Sequence, residues 1–390
     1  MKVEKITALI LAAGQSSRMG ALKPKLEIEN KAAILWVVEA FRKSGIEDIR
    51  VVVGYHSKEV RQVLSEKNIK IIENKAPERG MFSSVKVGIE SLESDVEGIL
   101  LIPADIPMIR SQTIEKILEA HTAYPDKIIF PSFLGQRGHP PFINRDCFKT
   151  ILEADENANL RQVLELFKTR WLDLPCADNG ILMDMDTYAD YEHMVAYAAT
   201  RLTPNLEECQ ALLDLFQVPE KVRKHCLAVS ELACKIARCL NNKEGQIVSE
   251  QIIKMAGLLH DVGKGQPNHA LLGAKMISNE GFYGLEEIIS CHMDIELPLH
   301  NFKITEKELL YLSDKLTEED QYIALETRFE NTRKKYPKVD ENKLFRRFYN
   351  AKRIKDKIES ILILDDLYDF FNEKSMVRVS NPKVEQPSTL

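Results

Sequence analysis

The stretch Leu11-Ala12-Ala13-Gly14-Gln15-Ser16-Ser17-Arg18-Met19-Gly20, followed by Lys25, decides the reading of this chain. It comes directly after a short apolar run, Ile6 to Leu11, and so stands where an open α/β sheet receives ligands, beyond the carboxyl end of a strand. Small residues let the backbone approach a phosphate chain closely, and its N–H groups can then cradle the oxygens. Arg18 and Lys25 add fixed positive charge to the same turn. The pattern is not the G-x-x-x-x-G-K-[ST] loop, because Ala21 and Leu22 follow Gly20, and no G-x-G-x-x-G is present. For Gly14 alone a plain glycine turn would suffice. The strand, both glycines, Arg18 and Lys25 in order point to a nucleoside triphosphate site.

Outward from that turn, residues 1 to about 200 alternate apolar strands with amphipathic helices. Strand-like runs are Ile6–Leu11, Ile49–Val53, Ile69–Ile72, Gly98–Ile102 and Lys127–Phe130. Helical stretches lie between them, such as Ala32–Ser44 with Gly45 as its stop. This order predicts a mostly parallel, Rossmann-like α/β sheet covered on both faces. Near Thr200-Arg201-Leu202-Thr203-Pro204 the strands give out and long helices follow: Leu206–Phe216, Pro219–Leu240, Val248–His260 and Thr305–Leu316. The expected division is an α/β domain over 1–200, an all-α domain over 201–375 and a flexible tail over 376–390, where prolines replace apolar residues.

Bulk properties narrow the classes. A chain of 390 residues is long for one core, which favours two domains. Hydrophobic residues at 44% and charged residues at 29% make an ordinary soluble composition. The net charge of −6 argues against a nucleic-acid partner held by general phosphate attraction. Seven cysteines without a C-x-x-C pair read as free thiols of a reducing cytoplasm. No apolar run reaches the ~18 residues of a membrane span. Met1-Lys2-Val3-Glu4-Lys5 leads into a strand and not into a cleavable signal. The expectation is a cytoplasmic protein with neither a nucleic-acid nor a membrane partner.

Two acidic positions complete the first site. Asp105 follows the apolar run Leu100-Leu101-Ile102-Pro103-Ala104, and Asp184-Met185-Asp186-Thr187 offers further carboxylates ahead of a helix. A strand that delivers a carboxylate at its end commonly presents it to Mg²⁺, although a lone Asp there also serves as a cap. Two aspartates distant in sequence can close on one Mg²⁺ bridging the triphosphate oxygens. A phosphate monoester, with a second pKa of about 6, is already an anionic nucleophile at neutral pH. Its attack on the α-phosphorus needs charge neutralisation and in-line positioning, with no general base. This half has no histidine or carboxylate evidently dedicated to deprotonating an alcohol, which favours a phosphate acceptor.

The glycine-rich run resembles the signature of the nucleotidyltransferases that attach a nucleotide to the pterin of the molybdenum cofactor. The resemblance covers about the first 200 residues and implies a triphosphate held by Leu11, Ala12, Ala13, Gly14 and Ser16 and neutralised by Arg18 and Lys25. It marks Asp105 and Asp186 as Mg²⁺ ligands, with Asp184 a bystander or a supporting residue. Ala12-Ala13-Gly14, where members using GTP read Ala-Gly-Gly, implies CTP. Gly80-Met81-Phe82-Ser83-Ser84 is similar to the family's Gly-Met-Ser-x-Ser loop, so Gly80, Ser83 and Ser84 are expected at the base and ribose, with Phe82 tightening the base pocket. Arg137-Gly138-His139-Pro140 matches the segment on the pterin side, although His139 by itself reads as a loop histidine. At Glu156-Asn157-Ala158-Asn159-Leu160-Arg161 only Arg161 survives from the family's Gly-Asp-x-Gly-Ala-Arg.

The helical half carries a second constellation: His225, His260-Asp261, His269, His292 and Asp314. His225 shares a helix face with Val222, Val229 and Ala233 and so points inward. Buried imidazoles need partners, and metal coordination satisfies them. Nine histidines serve the entire chain and four belong to this set, which makes coincidence a poor explanation. His260-Asp261-Val262-Gly263-Lys264 resembles the signature of HD-domain metal-dependent phosphohydrolases. That resemblance implies a metal at His225, His260, Asp261 and Asp314, and His269 and His292 resemble the extra ligands of the two-metal members, so one or two metals are expected. A mixed imidazole–carboxylate set suits Mn²⁺, Fe²⁺, Co²⁺ or Zn²⁺. Lys264 is either a neutraliser of developing charge or a solvated helix-end lysine.

The combined expectation is a transferase moving a nucleotidyl group, CMP from CTP, onto a molybdopterin-type phosphate, fused to a phosphohydrolase of unspecified phosphate ester. Two alternatives stay open. The acceptor can be a sugar or polyol phosphate, and the helical half can be a ligand-sensing regulatory module. A delivery role, handing the pterin to a molybdenum hydroxylase apo-enzyme, is a further reading.

Overall fold

Ile6–Ala12 (β1) is apolar on both faces and takes the middle of an eight-stranded sheet, with Ala8, Leu9 and Ile10 fully buried. It is flanked in parallel by Asp48–Val53 (β2), which pairs on with Lys70–Glu73 (β3), and on its other side by Gly98–Pro103 (β4). Beyond β4 come Ile128–Phe133 (β5), Gln136–Arg137 (β6), Phe142–Asn144 (β7) and Trp171–Pro175 (β8). The sheet runs β8-β5-β7-β4-β1-β2-β3, with β6 on β5. Strand β7 lies antiparallel between β4 and β5, so the sheet is mixed, though mostly parallel. The chain leaves β1 towards β2 and returns beyond it to β4. This reversal makes the β1/β4 ends a topological switch point, where such sheets bind ligands.

The computed structural model describes residues 5–15, 19–65, 68–298, 303–338 and 340–377. Its contacts divide into two units, Met1–Leu215 with Asn279–Gly281, and Phe216–Ser278 with Phe282–Leu390. The helix Leu206–Leu215 belongs to the first unit by contact, although it follows Pro204. Its Glu208 is fully buried and accepts the Tyr197 hydroxyl at 2.6 Å, with Arg110 also close. A buried carboxylate holds its place only with such partners.

The second unit is helical. Glu220–Glu244 packs along Glu250–Leu259 at Gly257, where a Cβ would stand 2.6 Å from the Ser230 Cα. His269–Asn279, Glu286–Ser290, Glu306–Lys315, Leu325–Lys335, Glu341–Leu362 and Leu367–Val377 follow. Strands do not end altogether at Pro204, because Thr317–Glu318 and Gln321–Tyr322 form a short antiparallel pair. Residues 376 and 377 close the last helix, and the remainder of the expected tail lies outside the described residues. Among the described residues no helix is long and apolar enough to cross a membrane. All seven cysteines are free thiols.

Candidate functional sites

A cleft of about 790 Å³ opens at the β1/β4 switch point. One wall is the turn after β1, Leu11 to Gln15, pinned by the Ala104 N–H donating to the Leu11 carbonyl at 2.9 Å. Gly54 lies against this turn so closely that a Cβ would stand 2.8 Å from the Ala13 carbonyl oxygen. A second wall is the amino end of Met81–Glu90, where Gly80, at φ +85°, Met81 and Ser84 line the cleft. The exposed N–H groups of that helix start favour an anion. Tyr55, Pro77 and Glu78 complete the rim.

The floor is acidic. Asp105, just past β4, and Asp184 and Asp186 all line it. The Met185 N–H donates to the Asp105 carbonyl at 3.1 Å, which draws together segments some eighty residues apart. Neither of the outer aspartates is used as a helix cap. Thr187 caps Tyr188–Thr200 in a box with Asp190, leaving the Asp186 carboxylate to the cleft. The Lys23 ammonium lies between the two, donating to Asp105 Oδ2 at 3.0 Å and Asp186 Oδ1 at 2.6 Å. Asp184 is raised above the usual carboxylate range by burial, and the neighbouring Asp186 and Asp105 add to this. His139 also lines the cleft, with Nδ1 3.4 Å from the Leu101 carbonyl, and burial lowers its pKa so that it favours the neutral imidazole.

Several residues stand elsewhere than the motifs suggested. Lys25 is exposed and does not line the cleft, whereas Lys23 does, because the turn started by Pro24 sends the two lysines apart. Arg137 stacks on Phe130 and Trp171, with its guanidinium 4.8 and 4.4 Å from the rings, and pairs bidentately with Asp173. It too lies outside the cleft lining, as do Gly138, Pro140 and Arg161. Phe82 does not tighten a base pocket. It is 6% exposed and packs into the core with Leu9, Leu11 and Val85. Ser83 turns away to hydrogen-bond Asn74 and the Gly80 carbonyl, and Ser84 accepts from Asn74 at 3.0 Å. Ser16 and Arg18 lie outside the described residues. The motif singles out Lys25 and passes over Lys23, two residues earlier in Lys23-Pro24-Lys25.

In the helical unit all six ligand candidates converge. His225 Nε2 lies 3.1 Å from Asp314 Oδ1 and 3.7 Å from Asp261 Oδ2. His260 Nε2 is 3.6 Å from those same two atoms. The other Asp261 oxygen, Oδ1, faces His269 Nε2 at 3.3 Å and His292 Nε2 at 3.6 Å. One carboxylate thus divides four imidazoles into two pairs. His225, His260 and Asp314, and His260, Asp261 and His292, are each close enough to hold one ion.

The backbone sets the imidazole tautomers. Nδ1–H of His225, His260 and His292 donates to the carbonyls of Glu319, Gly257 and Ile289, at 2.7, 2.9 and 2.7 Å. In the neutral, metal-binding form of these rings each Nε2 would then have a lone pair directed inward. Nε2 of His260, His269 and His292 and Oδ1 of Asp261 are buried without a hydrogen-bond partner. Such orphaned atoms are costly unless a cation occupies the space among them. The donor set therefore fits divalent metal. Gly263 seats the short loop, since a Cβ there would lie 2.5 Å from the His269 carbonyl. Lys264 donates to Asp261 Oδ2, and Lys315 bridges Asp314 Oδ2 at 2.6 Å and the His292 carbonyl at 2.9 Å. None of these backbone acceptors is legible in a sequence.

Comparison with known proteins gives the same division. Residues 8–173 match the profile of the MobA-like NTP transferase domain, and residues 222–325 that of the HD domain. The molybdenum cofactor cytidylyltransferase of Escherichia coli (strain K12) is 27% identical over 190 residues, 48% of this chain and 93% of the relative. The bifunctional protein GlmU of Caldanaerobacter subterraneus subsp. tengcongensis is 34% identical over 172 residues, 42% of this chain and 37% of the relative. The chain spans about a quarter to two-fifths of the GlmU relatives it matches. Among solved structures, Rv0371c from Mycobacterium tuberculosis H37Rv is 23% identical with a TM-score of 0.44, covering 50% of this chain and 100% of that one. The chain joins a MobA-like NTP transferase domain to an HD domain with a His/Asp metal-binding cluster.

Proposed function

We propose that the first domain transfers CMP from CTP to the phosphate of a molybdopterin-type cofactor and releases pyrophosphate. The observation that carries the transferase reading is the meeting of Asp105 and Asp186 beside a glycine turn and a helix amino end. The pterin acceptor is supported by the E. coli cytidylyltransferase, 93% of whose length aligns, and CTP by Ala12-Ala13-Gly14. A Mg²⁺ held by Asp105 and Asp186 would neutralise the triphosphate and orient its α-phosphorus. The turn Leu11 to Gln15 and the Gly80 helix start bind the phosphates through N–H groups. His139, kept neutral, is suited to hydrogen-bond the acceptor without repelling a cation. The implied recipient of the product is a molybdenum hydroxylase apo-enzyme.

A sugar or polyol phosphate is the second acceptor reading. One observation favours it: Arg137 is engaged by Asp173, Phe130 and Trp171 outside the cleft, which leaves the expected pterin side thinly furnished. Screening CTP, GTP, ATP and UTP against molybdopterin and against sugar and polyol phosphates, following pyrophosphate, separates the two. CTP with molybdopterin should release pyrophosphate. Release only with a sugar or polyol phosphate would move the acceptor, and no release with any pair would remove the transferase reading.

For the HD domain the reading is a metal-dependent phosphohydrolase, in which His225, His260, Asp261 and Asp314 would hold one ion and His269 and His292 would supply ligands to a second where two are bound. Such metals lower the pKa of bound water and polarise a phosphoryl oxygen. Lys264, which donates to Asp261, would meet phosphate charge in this reading. Metal-dependent phosphate release from a panel of phosphate esters tests this. Retained metal with no turnover on any ester would make the domain a ligand-sensing module instead.

A further inference from the structure

We infer that Lys23 holds the cation position of the transferase cleft in the absence of nucleotide, so that divalent metal enters there only together with the triphosphate. The inference rests on the reading of Asp105 and Asp186 as a metal pair. The Lys23 ammonium donates to Asp105 Oδ2 and Asp186 Oδ1 at 3.0 and 2.6 Å, and its side chain is only 12% exposed. These are charge-assisted bonds to the two carboxylates that a bridging ion would need. An ammonium and a divalent ion cannot share that space, because their like charges repel at contact distance. A hard cation entering alone must therefore displace Lys23 into a cleft whose nearest side chains, Asp184 and Glu78 apart, offer it no anion.

A triphosphate changes the balance. It brings its own oxygens to the metal and gives the ammonium a new anionic partner. Lysine suits the exchange, being a compact charge on a flexible four-carbon stem. Lys23 is then a positioning residue in the free protein, keeping two repelling carboxylates facing each other, and a phosphate neutraliser once nucleotide is bound. Lys25, on the far side of Pro24, is not placed for either task.

The test is Mn²⁺ binding by the full chain, read by electron paramagnetic resonance with and without CTP. The sites belonging to this cleft are identified as those that Asp105→Asn removes. In the wild type that binding should be absent without nucleotide and appear with it. In Lys23→Met it should appear without nucleotide, at least about 10-fold tighter than in the wild type, while Lys23→Arg should restore exclusion. A lysine with a merely structural role would not produce tighter metal binding on removal. Wild-type protein that binds Mn²⁺ in this cleft without CTP overturns the inference even should Lys23→Met fail to fold. If Asp105→Asn removes no Mn²⁺ under any condition, the metal-pair reading itself fails, which is a distinct result.

Discussion

The two sites satisfy their buried polar groups in different ways. In the transferase cleft the carboxylates of Asp105 and Asp186 already have a cation, the Lys23 ammonium. In the HD cluster Lys264 and Lys315 each meet one carboxylate, yet Nε2 of His260, His269 and His292 and Oδ1 of Asp261 stay buried without a hydrogen-bond partner, while backbone carbonyls fix the imidazole tautomers from behind. The first arrangement suits an ion that comes and goes with its substrate. The second suits a resident ion that is part of the folded state, since neither lysine reaches those orphaned nitrogens. The lesson is that acidic and imidazole residues make different metal sites, according to whether one ammonium bridges the carboxylates or imidazole nitrogens are left without a partner beside them.

Breaking the HD cluster should have the largest effect. Asp261→Ala removes the one carboxylate facing all four imidazoles, so bound metal, counted by elemental analysis, should fall to background and phosphohydrolase activity by about 10³-fold or more. Metal retained in this variant would show that Asp261 is not shared. Next in size, Asp105→Asn should lower pyrophosphate release by about 10²–10³-fold while leaving the metal content of the HD cluster untouched. A parallel loss of HD metal would mean that the two sites are not independent.

A purely steric change sharpens the contrast further. Gly257→Ala drives a methyl against Ser230 in the helix pair that carries His225 and His260, and should lower unfolding stability by about 1–3 kcal/mol, measured by urea titration. Stability at the wild-type value would show that the pair can spread. The smallest effect concerns His139. Burial depresses its pKa from the ordinary 6.5, so the folded state takes up fewer protons than the unfolded chain as pH falls. Stability is then lost as pH drops through about 6.5 and the loss levels off below the folded-state value. His139→Gln should remove that increment between pH 7.5 and 5.5. An unchanged slope would place His139 in water.

Much of this was legible beforehand, for physical reasons. Long apolar strands such as Ile6–Ala12 and Asp48–Val53 announce themselves by burial on both faces, and the HD ligands by the clustering of scarce histidines. Phe142–Asn144 was not legible. It is three residues long and follows Pro140-Pro141, and its pairing comes from β4 and β5 and not from its own pattern. Lys23 and Lys25 are equivalent in composition, and only the turn at Pro24 distinguishes them. Phe82 reads as a pocket residue in a motif, yet a helix turn carries it into the core. The carbonyls of Gly257, Ile289 and Glu319 carry no side-chain signal at all.

The most direct measurement is anomalous scattering from crystals grown with Mn²⁺, with and without a non-hydrolysable CTP analogue. The expected result is density flanking Asp261 in both crystals, and a peak between Asp105 and Asp186, with Lys23 displaced, only when the analogue is present. A peak between those aspartates without nucleotide, or none there with it, would contradict the account.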